Sequence, residues 1–372
     1  MSNQDLAKSW LALWLIPGLS PRAIRHLLDQ FGSLEALLQT PGSELRQATG
    51  LDLHLCNEIA GAQGRPEFAA EWREVERLGL RLLHWGHRDY PKNLLAVETA
   101  PPLLYCRGDL DINQGLHVAF VGSRKASLSG KTMTRRLIQE ISQLHPATVI
   151  VSGLALGIDA AAHEAALEFG LKTIAVLGNG LSFIYPKTNE DLAVRIVRAG
   201  GAVISELPTA TGAMAQNFPQ RNRIVSGLSR AVVVSEAGER SGASITANLA
   251  LEQGRELFAL PGPADSPFHR GSNRLIQRGS AKLVMEAMDI LEELAPAGYL
   301  LQPQASRPLT LEDATLTPEE QAILAALEGR EATADELAQT LGLPAGQLLS
   351  QLMNLEIKGR LAPKAGGRYV RL

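Results

Sequence analysis

Short apolar segments that alternate with helical segments dominate the chain from residue 117 to residue 284. Seven of them are rich in Val, Ile, Ala and Leu, at 118–121, 148–151, 173–177, 202–205, 231–234, 257–260 and, more weakly, 282–284. Helical patterns fall at 129–143, 158–169, 189–199, 218–229, 244–253 and 272–279. Apolar strands joined by helical crossovers predict an α/β fold, with an extended Rossmann-like parallel sheet covered on both faces.

The regions before and after this core have other patterns. Residues 1–85 contain short amphipathic segments separated by glycine and proline breaks, which predicts a helical domain of the SAM or helix-hairpin-helix type. Within it, the glycine turn of LIPGLSPRAIRHLL can point N–H groups at a phosphate, although a helix pair packed only for stability has the same pattern. We assign residues 86–294 to the core domain, with an irregular, proline-rich entry at 90–108, and residues 295–315 to a linker.

The last segment, residues 316–372, predicts a winged-helix domain. A winged-helix domain has three helices followed by a hairpin. The segment matches this order, with a helix start at Thr317, helices at 334–341 and 347–358, and a hairpin around Gly366. The third helix offers only Lys358 as a cation, and the hairpin adds three basic residues. Because phosphate contacts need cations, a protein-contact or weak DNA-binding role is favoured over specific base reading.

Composition narrows the class of protein. The chain of 372 residues has neither a signal-peptide pattern nor an apolar run long enough to span a bilayer, which predicts a cytoplasmic protein without membrane contact. The two cysteines, Cys56 and Cys106, are predicted to be buried thiols, and no metal site is expected. The net charge is -3, but residues 117–290 carry 18 basic and 14 acidic residues, so this part is +4 and the flanks are -7.

Two basic elements lie within the core, one at the front of a helix and one at the end of a strand. The segment FPQRNR, residues 218–223, places two arginines near the start of a helix, where like charges repel unless an anion is held. The segment VGSR, residues 121–124, ends an apolar strand and is followed by Lys125. Because the carboxyl ends of parallel strands meet at one edge, the two elements predict a phosphate-binding face there.

Three further turns fall at the same predicted edge. In SGLALGIDAAAH, residues 152–163, Asp159 is interpreted as a helix cap and His163 as structural. In GNGLSFIYPKTN, residues 178–189, Tyr185 and Lys187 suit a nucleotide base and a phosphate, although a packed tyrosine and a surface lysine are the commoner case. In GERSGASITA, residues 238–247, Ser241 opens a helix whose first turn is a ready anion site.

The order of these motifs resembles the DNA processing protein A (DprA, or Smf) family. The specific part runs from Val121 to Gly279 and includes FPQRNRIVSGLS, SGASITA and PGPADSPFHRGSNRLIQRG. The resemblance implies a cytoplasmic homodimer without cofactor or catalysis. It also implies that the core binds single-stranded DNA and helps to load the recombinase RecA onto it during natural transformation and recombination.

The resemblance also implies a set of DNA-contacting residues. Matched by motif, they are Gly122, Ser123 and Arg124 on the DNA backbone, Lys187 in the same groove, Arg221, Asn222 and Arg223 lining a pocket, and, by position, Ser241, Gly242 and Asn273. Leu156 departs from the pattern, because some relatives have a basic residue there. The loop around Leu156 is therefore a weaker candidate for a DNA contact.

A nucleotide-processing Rossmann enzyme of the lysine decarboxylase-like superfamily is the alternative hypothesis. Those enzymes use a glutamate in a PGGxGTxxE loop, whereas EAGERSGASITA has none in the turn after its Ser-Gly pair. The chain also lacks the Walker A pattern, and VGSRKAS does not fit the dinucleotide fingerprint GxGxxG. The sequence therefore favours a binding protein over an enzyme.

Overall fold

The computed structural model describes residues 3–239, 241–294, 318–327, 331–357, 360–364 and 368–371. The chain divides into two compact units, Met1–Gln302 and Pro303–Leu372. The predicted linker at 295–315 lies outside the described residues. In the described ranges no helix combines the length and the apolar character needed to cross a membrane.

Six short helices begin the first unit, as the glycine and proline breaks predicted. They are α1 (Asn3–Trp14), α2 (Pro21–Phe31), α3 (Leu34–Gln39), α4 (Gly42–Thr49), α5 (Leu53–Ala60) and α6 (Pro66–Arg77). Ser20 and Ser33 cap the second and third by accepting hydrogen bonds from main-chain N–H groups. Their apolar faces, including Leu11, Ile24 and Leu37, are buried in one core that also takes side chains of the central sheet.

A nine-stranded sheet forms the centre of this unit. Its strands are β1 (Arg81–His84), β2 (Leu103–Arg107), β3 (Leu116–Gly122), β4 (Thr148–Ser152), β5 (Lys172–Val176), β6 (Ala202–Ser205), β7 (Ala231–Glu236), β8 (Glu256–Ala259) and β9 (Lys282–Leu283). They lie in the order β1-β2-β6-β5-β4-β3-β7-β8-β9, and β3 to β9 are mutually parallel. All seven predicted strands are confirmed.

The first two strands, β1 and β2, lie where no strand was predicted. β2 pairs antiparallel with both β1 and β6, although β1 falls in the predicted helical region and β2 in the stretch predicted to be irregular. Pro101 and Pro102 come just before β2, so they remove none of its ladder hydrogen bonds. The β1 strand also means that the sheet begins before residue 86, the predicted start of the core domain.

Helices cover both faces of the sheet. They are α7 (Lys92–Leu95), α8 (Leu128–Leu144), α9 (Ile158–Glu168), α10 (Glu190–Arg198), α11 (Asn217–Leu228), α12 (Gly242–Glu252), α13 (Arg270–Gln277) and α14 (Met288–Leu294). Successive residues of β3 belong to separate cores: Phe120 packs with residues of α8 and α9, whereas Val121 packs with residues of α11 and α12. The predicted crossover helices are confirmed, and the loops after β3, β4, β5 and β7 meet at the carboxyl edge of the sheet.

The second unit is a small winged-helix domain. It contains α15 (Pro318–Ala326), β10 (Ala332–Thr333), α16 (Ala334–Leu341), α17 (Ala345–Ile357), β11 (Leu361–Lys364) and β12 (Arg368–Arg371). Thr333 and Glu336 form a capping box at the start of α16. The predicted third helix and hairpin are confirmed, while Lys358 and the Gly366 turn lie outside the described residues.

Candidate nucleic-acid interface

The loop after β3 is held rigidly at the carboxyl edge of the sheet. Ser123 N–H donates to the main-chain carbonyl of Glu236 (2.7 Å), and Ile158 N–H donates to the carbonyl of Ser123 (3.2 Å). The buried Glu236 carboxylate accepts from the N–H of Ser127 (3.0 Å) and from its hydroxyl (2.5 Å). Arg124, between these anchors, is exposed to solvent. No sequence motif points to Glu236, because its partner Ser127 is 109 residues away in the chain.

Arg221 forms the floor of the site together with Asp159. The Arg221 side chain extends from α11, is 5% exposed, and donates through Nη1 to the carbonyl of Val176 (2.5 Å). A Cβ atom at Gly153 would lie 1.8 Å from the same nitrogen, so only glycine leaves room for this guanidinium. Burial lowers the pKa of Arg221 to about 10, and the Asp159 carboxylate opposes that shift.

Asp159 differs from the helix cap that the sequence predicted. Its Oδ2 accepts from Gly153 N–H (3.1 Å) and Ala155 N–H (3.3 Å), which precede α9 rather than belong to its first turn. Burial raises the pKa of Asp159, and the neighbouring Arg221 charge acts in the opposite direction. The carboxylate therefore fixes the loop after β4 and balances a buried cation.

A cavity of about 520 Å³ opens above this floor. It brings together seven of the ten residues that the sequence singled out: Gly122, Ser123, Arg124, Arg221, Asn222, Ser241 and Gly242. Lys125 and Phe268 also line it. Ser241 and Gly242, at the start of α12, line the cavity, so the positive end of that helix faces it. The Ser241 side chain does not cap the helix. The cavity thus has the electrostatic character of an anion site.

The other three predicted residues lie elsewhere. Arg223 binds the buried Glu206 carboxylate (2.5 Å) and does not line the cavity, contrary to the expectation from its motif. Asn273 accepts a hydrogen bond from the N–H of Gly262 (3.1 Å) and donates one to the carbonyl of Gly262 (2.9 Å). Its side-chain amide is therefore already bonded to the main chain. Lys187 is exposed on the 178–189 loop.

The charge of the site therefore comes from fewer residues than the sequence suggested. In FPQRNR the anions that balance Arg221 and Arg223 are the carboxylates of Asp159 and Glu206. The exposed cations are Arg124, Lys125 and Lys187, and none of them is ion-paired with a carboxylate of the described residues. We call Arg124 and Lys125 the rim of the cavity.

Two aromatic rings extend the site beyond the cavity. The Arg124 guanidinium lies 5.2 Å from the ring centroid of Phe218, and the Tyr185 ring lies 5.7 Å from the same ring at a 42° tilt. Tyr185 is 47% exposed. We call Phe218 and Tyr185 the aromatic strip. The sequence suggested Tyr185 as a base contact but missed Phe218, which is recognisable only by its neighbour Arg124.

His163 and the two cysteines are buried, as predicted. A ring nitrogen of His163 is 2.7 Å from the Thr173 hydroxyl, and burial lowers the pKa of His163 to about 3. Cys56 and Cys106 are both free thiols, and burial raises the pKa of Cys106 to about 11. A neutral imidazole and a protonated thiol are structural groups here.

Comparisons with protein families match both units of the chain. Residues 81–295 match the model described as "DNA recombination-mediator protein A", and residues 307–367 match "DprA winged helix domain". The chain is 42% identical to Protein Smf of Escherichia coli over 98% of its own length and 95% of that protein. It is also 45% identical to DNA processing protein DprA of Streptococcus pneumoniae, over 55% of its own length and 71% of that protein.

Solved structures give the same result. The X-ray structure of DprA from Streptococcus pneumoniae superposes with a TM-score of 0.67 at 33% identity, covering 79% of this chain and 98% of that chain. DprA from Helicobacter pylori, whose structure is described as showing a single-stranded DNA binding mode, gives a TM-score of 0.52 at 30% identity, covering 58% of this chain and 97% of that one.

Proposed function

The chain belongs to the DNA recombination-mediator protein A (DprA) family, and from this premise we propose that it binds single-stranded DNA across the cavity and the aromatic strip. The observation that supports this most directly is the placement of exposed Arg124 over Phe218, at the mouth of a cavity that Lys125 and the start of α12 also line. Cations beside exposed aromatic rings form the usual surface for an unpaired strand.

In the proposed mode the strand backbone lies along the rim. Arg124 and Lys125 contact phosphates, and the first turn of α12 supplies N–H donors to another phosphate. Bases stack on the aromatic strip, which a duplex cannot do because its bases are already stacked and paired. This mode is supported by the single-strand binding described for the Helicobacter pylori protein.

A salt titration tests this function. Three exposed cations predict that the logarithm of the association constant for a single strand falls with the logarithm of salt concentration with a slope of about -2. A duplex of the same sequence is expected to bind more weakly at every salt concentration. Equal affinity for both forms, or single-strand binding that does not depend on salt, would contradict the proposal.

We further propose that the bound strand is transferred to a RecA recombinase in the cytoplasm, in natural transformation and recombination. The family description as a recombination mediator and the DNA processing names of the relatives support this step. The test measures RecA assembly on a strand coated with single-strand-binding protein. Faster assembly with the protein present is expected, and an unchanged rate would reject the step.

We also propose a homodimer formed through the β8–β9 side of the sheet. Leu283 on the edge strand β9 is 39% exposed, and Met285, just after it, is 64% exposed. Apolar side chains at a sheet edge favour pairing with a second copy. Light scattering at micromolar concentration is expected to give the mass of a dimer, and a monomer would reject this surface.

For the site itself we propose binding without catalysis. Asp159 is the one carboxylate among the described residues that line the cavity, and its Oδ2 is occupied by two main-chain N–H groups. A glycosidic reaction would need a carboxylate able to reach the substrate. Incubation with nucleoside monophosphates is expected to release no free base, and base release would support the nucleotide-processing alternative.

For the winged-helix domain we propose a protein contact rather than base reading. The described helix α17, AGQLLSQLMNLEI, contains no lysine or arginine, and Lys364 in the hairpin is paired with Glu331. A helix without cations gains little from the phosphates that flank a groove. Removing residues 303–372 is expected to leave the affinity for a single strand within about twofold, and a larger loss would place DNA on this domain.

A further inference from the structure

A carboxylate of the N-terminal helices lies beneath the loops of the proposed DNA site. Glu71 on α6 is nine-tenths buried and accepts from both donors of one residue, the N–H of Thr209 (2.6 Å) and its hydroxyl (3.0 Å). Thr209 is fully buried. Two donors held by one buried carboxylate fix the main chain at this point.

Thr209 in turn holds the 178–189 loop. The carbonyl of Thr209 accepts from Ser182 N–H (3.0 Å), and the carbonyl of Thr211 accepts from Gly180 N–H (2.9 Å). A Cβ atom at Gly180 would lie 2.1 Å from the carbonyl oxygen of Pro208, so the two segments touch through their main chains. The 178–189 loop therefore cannot shift without moving the turn that Glu71 holds.

The held loop carries residues that the proposed function uses. Tyr185, which forms the aromatic strip with Phe218, and Lys187 both lie within seven residues of Gly180. A second contact from the helices reaches the start of the same turn, where the Trp14 indole N–H donates to the carbonyl of Glu206 (2.8 Å). The N-terminal helices thus make two polar contacts with the segment that supports the loop.

We propose that Glu71 is a positioning residue for single-stranded DNA binding, through which the N-terminal helices fix Tyr185 and Lys187 at the site. The inference rests on the proposed function. It gives the helical region a role in DNA affinity that requires no contact between its own glycine turn and DNA. Without the carboxylate, the two buried donors of Thr209 lose their acceptor, and the loop is no longer pinned.

The test is a double-mutant cycle measured by fluorescence anisotropy with labelled oligothymidylate. Glu71→Ala is expected to weaken binding about fivefold. In a chain that already carries Tyr185→Ala and Lys187→Ala, the same change is expected to have an effect of less than about twofold, because the positioned groups are gone. An equal loss in both backgrounds, or no loss in either, overturns the inference.

Matched variants separate positioning from general damage. Glu76→Ala removes an exposed carboxylate from the same helix and is expected to bind like the parent chain. Glu71→Gln keeps an oxygen acceptor for the Thr209 N–H and is expected to restore most of the affinity. If Glu71→Ala does not fold, Thr209→Val removes only the hydroxyl and is expected to cost about twofold; parent-like binding by Thr209→Val then overturns the inference. Failure of the parent chain to bind would reject the proposed function instead.

Discussion

At the floor of the cavity Arg221 is 5% exposed and balanced by Asp159, whereas at the rim Arg124 is exposed and rests on the ring of Phe218. Both arginines come from motifs that the sequence assigned to DNA, and both line one cavity. Their surroundings differ in solvent access and in the nearest anion. The floor is already neutralised by the protein, while the rim still has its charge available.

This difference separates two uses of an arginine charge in one site. A buried guanidinium must be compensated inside the protein, because removing an ion from water costs more than a surface pair returns. An exposed guanidinium keeps its hydration until a phosphate displaces it. We therefore expect the floor to control stability and the rim to control DNA affinity, and three experiments can break or sharpen that division.

The largest effect is expected from Arg221→Ala. The substitution leaves Asp159 buried without its counter-charge and removes the hydrogen bond to Val176. We expect the free energy of unfolding to fall by about 3–5 kcal/mol, measured by urea denaturation. A parent-like urea midpoint together with weaker DNA binding would show that Arg221 controls DNA affinity, as the rim does, and not stability. The proposed difference between floor and rim would then be wrong.

The second largest effect is expected from lowering the pH, which decreases the free energy of unfolding. His163 has a pKa lowered to about 3 by burial and by the Arg221 charge, whereas an unfolded histidine titrates near 6.5. Between these values the unfolded chain binds the additional proton, so the free energy of unfolding decreases as the pH falls. We expect a loss of about 3 kcal/mol from this group between about pH 7 and about pH 4.5.

The pH effect is checked by denaturation at both pH values in the parent and in His163→Gln. The glutamine does not titrate, so its acid loss should be smaller by the amount that His163 contributes. His84 and His117 also have pKa values lowered to about 4, and they account for acid loss that remains in the variant. An identical acid loss in both chains would mean that burial and the Arg221 charge do not keep His163 neutral.

The smallest change in free energy is expected at the rim. Arg124→Ala removes one charge-assisted phosphate contact and the cation beside Phe218. We expect about tenfold weaker binding of a single strand, with an unchanged urea midpoint.

Arg198→Ala is the matched control for the rim. Arg198 is an exposed arginine in the last turn of α10, which leads to the amino end of β6, at the opposite edge of the sheet. It should bind DNA like the parent. Equal weakening by both substitutions would indicate a diffuse effect of net charge rather than a localised rim.

Much of the fold was readable from the sequence, for a simple reason. The strands from β3 to β8 have mainly apolar central residues because both faces of the sheet are buried, and this pattern does not depend on distant residues. β1 and β2 were missed because they lie beside helical and proline-rich segments, outside the regular alternation of strands and helices, and they form strands by pairing with one another and with β6. Pairing partners that lie far apart in the chain leave no local periodicity.

The candidate site was readable in part. The motifs placed Gly122, Arg124 and Ser241 at one edge, since consecutive parallel strands end there, and the structure brings them into one cavity. The contributions of Phe218 and Glu71 were not visible. One depends on a ring contact with Arg124, and the other on a carboxylate that reaches Thr209 from 138 residues away.

The sequence by itself determined the parallel sheet, its helical covering and the edge at which the motif loops gather, because these follow from local hydrophobic patterns. Only the tertiary structure decided which cations remain available to a ligand. Arg221 and Arg223 are two residues apart, yet each is balanced by a carboxylate from another element: the Asp159 charge acts on Arg221, and Glu206 forms an ion pair with Arg223. Arg124 has no such carboxylate partner within the described chain. The charged residues can be identified from the sequence, but their neutralisation depends on burial and on partners that folding brings close.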